Sequence, residues 1–116
     1  MAIDRGFEVP DEADLIGFFG AEPIQRVIED GFWCYQARDQ RGIRLRFSFN
    51  LFERSVQTEL SVGEVVIDTV SHELANRLQL HGAELRAIFD SSDAKTTLAV
   101  RLAPSISVKW STLRSR

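Results

Sequence analysis

Gly42-Ile43-Arg44-Leu45-Arg46-Phe47-Ser48-Phe49-Asn50-Leu51-Phe52 places apolar side chains at 43, 45, 47, 49 and 51 and polar ones between them. Alternation with a period of two, held over nine residues, marks a strand with one buried face. Five large apolar side chains on one face contribute roughly 8–15 kcal/mol of gross burial, at ~1.5–3 kcal/mol each. No other segment gathers so much on one side. This stretch is therefore expected to be the central strand of a sheet.

Its neighbour follows from the residues just before it. Phe32-Trp33-Cys34-Tyr35-Gln36-Ala37-Arg38 is rich in aromatic residues and reads as a strand. Asp39-Gln40-Arg41-Gly42 joins the two. Asp at the first position and Gly at the fourth suit a type I turn followed by a bulge glycine. That turn sets Ala37 opposite Leu45, Tyr35 opposite Phe47 and Trp33 opposite Phe49. Trp33 and Tyr35 then join the core face. Phe32, Cys34, Gln36 and Arg38 share the other face with Arg44, Arg46 and Ser48. A two-residue loop would shift the register by one and exchange the two sets.

The remaining elements are shorter. Pro10-Asp11-Glu12 opens a helix over about 11–19, with acids at the positive end of the helix dipole. Gly20 ends it and Pro23 bars continuation. Ile24 to Glu29 reads as a short strand. Val56, Thr58, Leu60 and Val62 alternate with polar residues, and Glu64 to Asp68 forms a further short strand. Ser71 is placed to cap a second helix over about 72–80, where Leu74, Ala75 and Leu78 fall at helical spacing; Leu78-Gln79-Leu80 is equally compatible with an extended chain. Strand patterns recur at 85–89, 96–102 and 105–112, the first two separated by the polar loop Asp90-Ser91-Ser92-Asp93. The expectation is an α+β fold: a mostly antiparallel sheet of six to eight short strands with two helices.

The 116 residues fit a single domain spanning 1–116. The N-terminus lacks the apolar stretch of a secretory signal, and no apolar run approaches the ~20 residues of a membrane helix. Cys34 is the one cysteine, which suits a cytoplasmic protein without disulfides. The net charge of −3 is unevenly placed. Residues 1–30 carry eight acids and two bases; beyond Asp93 there are five bases and no acid. Such asymmetry can steer a charged partner.

Sites for chemistry are not in evidence. His72 and His81 stand nine apart without a ligand-spaced partner, so no metal is expected. Cys34 lies in an aromatic strand, the setting of a buried and inert thiol. The nucleophile elbow and the glycine-rich phosphate loops are missing, so neither a catalytic residue nor a cofactor is assigned. Arg38, Arg41, Arg44, Arg46 and Arg54 fall within seventeen residues beside aromatic ones, as in some single-strand binders. The negative overall charge argues against nucleic acid. A protein partner fits better, since Arg, Trp and Tyr carry many interface hot spots.

The Arg46-Phe47-Ser48-Phe49 strand and the closing Ile106-Ser107-Val108-Lys109-Trp110 strand give the chain a layout that resembles small bacterial immunity proteins of polymorphic-toxin systems, over roughly residues 15–110. The resemblance implies a cytoplasmic, non-catalytic inhibitor that binds a cognate toxin domain. Asp11, Glu12, Asp14, Glu29 and Asp30 would suit the basic cleft of a nuclease, and Arg44 and Arg46 offer a second candidate face. Two alternatives stand beside it. Trp33, Tyr35, Phe47 and Phe49 could line a small-molecule cup in a curved sheet, whether for binding or for catalysis. The chain could also be a structural subunit that joins copies of itself through a sheet face or edge.

Overall fold

The expected turn forms at Asp39. In the computed structural model, which describes residues 6–114, the Asp39 carboxylate accepts the backbone N–H of Arg41 at 2.9 Å and of Ile43 at 3.0 Å. Gly42 follows at φ 85°, a conformation that favours glycine. The flanking strands are β2 (Phe32–Arg38) and β3 (Ile43–Asn50). They pair antiparallel with Trp33 opposite Phe49, Tyr35 opposite Phe47 and Ala37 opposite Leu45, the bulge register.

β3 is the middle strand of a five-stranded sheet. β1 (Gln25–Val27) and β2 lie on one side of it, β4 (Ser55–Val62) and β5 (Val65–His72) on the other. A second sheet holds β6 (Arg77–His81), β7 (Glu84–Asp90), β8 (Ala94–Arg101) and β9 (Ser107–Arg114) in that order. Every strand pairs antiparallel with its sequence neighbour within its sheet. The described residues thus form nine strands in two sheets rather than six to eight strands in one.

α1 (Glu12–Phe19) is the one α-helix among the described residues; a 3-10 turn follows β1 at Ile28–Asp30. The second helix, expected over 72–80, does not form. That segment holds the end of β5, a connection and β6. Leu78 and Leu80 face the core at strand spacing, opposite Ala87 and Leu85. Ser71, expected as a helix cap, donates its hydroxyl across the sheet to Gln57 at 2.7 Å. Leu74, expected on the helix face, lies at φ 64° in the connection and is exposed.

The core fills the space between the sheets and under α1. Tyr35, Leu45, Phe47 and Val56 from the first sheet and Leu85, Ala87, Leu98 and Val100 from the second are all buried. Phe19 of α1 stacks on Tyr35, with ring centroids 4.9 Å apart, and leans on Phe47 at 5.8 Å. Two polar bonds tie the sheets together. Asp39 accepts the Ile106 N–H at 2.9 Å, and Trp110 donates its indole N–H to the buried Thr58 hydroxyl at 3.1 Å.

Tyr35 is fully buried, and its hydroxyl has no hydrogen-bond partner among the described residues. Burial first, then the Glu12 charge, pushes its pKa up to about 12. An unpartnered buried hydroxyl costs roughly 1–3 kcal/mol. Tyr35→Phe is therefore expected to leave stability unchanged or raise it by up to about 2 kcal/mol. Urea unfolding checks this; a clear loss would mean that the hydroxyl is bonded in solution.

Candidate protein-binding surfaces

The acids of the N-terminal third do not form one patch. Glu12 is committed within the fold. Its carboxylate accepts the Trp33 indole N–H at 2.8 Å and pairs with both Nε and a terminal nitrogen of Arg26. These bonds pin α1 to β1 and β2. Asp11 is exposed at the helix N-cap and makes no side-chain cap bond. Asp14 is exposed on a shallow groove that it shares with Glu8, Arg77 and His81. Glu29 and Asp30 line a different groove, beside Phe32, Asn50, Phe52 and Glu53.

The second groove is shaped by Asn50. Its side-chain amide donates to Asp30 O at 3.0 Å, and its oxygen accepts the N–H groups of Phe52 and Glu53, both at 2.9 Å. Phe52 folds against Gly31 and stays 69% exposed. Glu53 adds a third carboxylate to this groove. Neither Phe52 nor Glu53 stood out in the sequence. The Asn50 side chain, which turns the chain just after the central strand, is the local signal that could have placed them.

Glu12 also carries an acid-sensitive contribution. The Arg26 guanidinium first, then the Trp33 N–H, holds its carboxyl below the ordinary carboxylate range. A depressed folded-state pKa contributes stability above the unfolded value that is lost as pH falls through the folded one. Glu12→Gln is expected to be less stable than the parent at neutral pH. The difference should narrow as pH falls below about 4.3, the ordinary glutamate value. Thermal melts from pH 7 to pH 2 check this; a pH-independent difference would remove the electrostatic account.

Arg44 and Arg46 lie together on the outer face of the five-stranded sheet, which α1 and the second sheet leave open. Arg38 is directly opposite Arg44. Arg44 Nε donates to the Ser61 hydroxyl at 3.0 Å, and Arg46 Nε to Gln36 at 3.1 Å. Cys34 is on the same face but buried, and burial raises its thiol pKa, which suppresses the reactive thiolate.

Trp33, Tyr35, Phe47 and Phe49 come together, though as packing. Trp33 stacks on Phe49 with centroids 5.7 Å apart, and Tyr35 on Phe49 at 6.5 Å. The gap beside them measures about 60 Å³, against roughly 300–1,000 Å³ for a small-molecule site. α1 and the Phe7–Pro10 segment occupy the space that an open cup would need. A wider cleft of about 770 Å³ opens elsewhere, between the ends of the two sheets. His72 packs against Phe89 at its base, with the rings tilted by 48°, and Arg54, Asp90, Asp93 and Arg114 stand around it.

The β4–β5 hairpin carries an apolar strip. Val65, Val66 and Ile67 are each more than half exposed, on an edge strand. An unpaired edge of this kind is a ready surface for another chain.

The chain is similar to one in a contact-dependent growth inhibition toxin–immunity protein complex from Klebsiella pneumoniae 342. The two superpose with a TM-score of 0.84 over 91% of this chain and 96% of that one, at 22% identity. The likeness is one of fold, and it agrees with the layout resemblance read from the sequence. No protein-family model and no curated protein matches the sequence. No helix among the described residues is long and apolar enough to cross a membrane.

Proposed function

We propose that this protein is a non-catalytic binding module that neutralises a cognate toxin by direct association, as an immunity protein of a bacterial toxin system acting in the cytoplasm. The observation that carries this reading is the shared fold with a chain of a toxin–immunity complex, matched along nearly the whole of both chains. The surfaces support it. Asp11, Asp14, Glu29 and Asp30 remain exposed, as do Arg46 and the apolar edge of β5. Glu12 serves the interface through the position it gives α1. The small-molecule reading loses its proposed cup to core packing.

The test is affinity capture of the tagged protein from the cells that encode it, followed by expression of the captured partner. The reading expects a stoichiometric partner that arrests growth when expressed alone and is tolerated when co-expressed with this chain. A partner that is harmless alone, or arrest that co-expression does not relieve, would sink it. Recovery of the protein with only copies of itself would favour the structural-subunit alternative.

A further inference from the structure

Arg38, Arg44 and Arg46 share the open face of the five-stranded sheet, as the pairing of β2 with β3 fixes. Arg38 and Arg44 are directly opposite, an arrangement that brings Cβ atoms to about 5 Å. Arg44 and Arg46 are two residues apart on one strand, about 7 Å. Like charges this close destabilise a sheet unless something answers them. Among the described residues the one carboxylate opposite them in register is Glu59, across from Arg46, and none of the three has a carboxylate within ion-pairing distance. Three of the other described arginines have ion pairs, Arg26 with Glu12, and Arg86 and Arg101 with Glu84. Asp39, adjacent to Arg38, gives its carboxylate to three backbone N–H groups instead.

Two of the three guanidinium groups are also held in place. Ser61, itself buried, takes the Nε of Arg44, and Gln36 takes that of Arg46. Both acceptors are neutral, so the full positive charge remains and the terminal nitrogens stay available. A planar fork fixed at one edge and open at the other is suited to side-by-side pairing with a carboxylate.

We infer that this arginine triad is a docking site for an acidic protein surface, in which carboxylates of the partner pair with Arg38, Arg44 and Arg46. The inference rests on the protein-binding reading and gives its partner a chemistry. A phosphate backbone is the less suitable occupant. The triad has no stacking ring among its register neighbours.

The inference is tested on the full-length, isotope-labelled protein by titration with acetylated, amidated hexaglutamate, and separately with hexathymidylate, followed by amide and arginine side-chain NMR. Hexaglutamate should shift signals at 36–38, 44–46 and 59–61. It should spare Arg86 and Arg101, which Glu84 already occupies. Arg44→Gln/Arg46→Gln should weaken binding about tenfold or more. That variant also removes the donor to the buried Ser61 hydroxyl, so its amide spectrum checks the fold, and Arg46→Gln alone, at an exposed position, is the fallback. Shifts spread over the second sheet, no binding at all, or tighter binding of hexathymidylate at the same residues would each overturn the inference. Hexaglutamate bound at the triad with no toxin captured would instead remove the immunity reading and leave the acid-binding face.

Discussion

Phe47→Ala lowers the unfolding free energy by about 3–5 kcal/mol, the range for emptying a buried aromatic site. Phe47 lies at the centre of β3, fully buried, where the first sheet meets α1. Its ring packs against Phe19 from the helix and Phe49 from its own strand. Truncation leaves a void that Phe19 and Phe49 cannot both close, because each is stacked on a further ring. Domains of this size hold roughly 5–15 kcal/mol, so the variant loses about a fifth or more of its stability. Guanidinium unfolding measures it. A loss below about 1.5 kcal/mol would mean that the core relaxes into the space.

Trp110→Ala is expected to cost about 3–4 kcal/mol, from packing and a hydrogen bond together. Trp110 stands on β9 and reaches across to the first sheet. Its ring lies 5.7 Å from Phe89 and 6.1 Å from His72, and its N–H bonds Thr58 at 3.1 Å. Thr58 is 2% exposed, so losing the donor strands its hydroxyl. The parts can be separated. Trp110→Phe retains most of the packing and should cost about 1–2 kcal/mol. Thr58→Val added to Trp110→Phe should recover part of that loss, since removing both partners costs less than orphaning one. Strict additivity in this double-mutant cycle would show that the two side chains are uncoupled.

The central sheet was legible because one observable decided it. Side chains alternate strictly through β3; the Asp39 to Gly42 turn favoured the bulge register over a two-residue loop, and the Asp39 side-chain bonds to Arg41 and Ile43 fix it. The segment over 72–80 was not legible because Leu74, Ala75 and Leu78 satisfy helical spacing while Leu78 and Leu80 satisfy strand spacing. The second pattern won because Ala87 and Leu85 on β7 were there to receive those leucines, a tertiary fact that the segment itself does not contain. The same limit explains the surfaces. Val65-Val66-Ile67 has the composition of a buried strand, and its exposure depends on its position at the sheet edge. Arg44 and Arg46 were placed on an outward face by alternation alone. The acids of residues 11–30 looked like one patch in a linear chain, but Glu12 met Arg26 and Trp33, and the others parted onto separate grooves.

The strand order has a consequence for how the chain comes together. Each sheet is a run of hairpins between consecutive strands, and the two runs occupy separate halves of the sequence, 25–72 and 77–114. Almost every ladder therefore closes a short loop, at small entropic cost, and pairing can spread from one hairpin to the next. The halves then meet through side chains, with the Glu8 contact to β6 as the main-chain link from the N-terminal segment. A chain cut in the 73–76 connection would leave both ladders whole. Its two pieces are natural candidates for reassembly from separate polypeptides, with Phe47 and Trp110 reporting on whether the interface has re-formed.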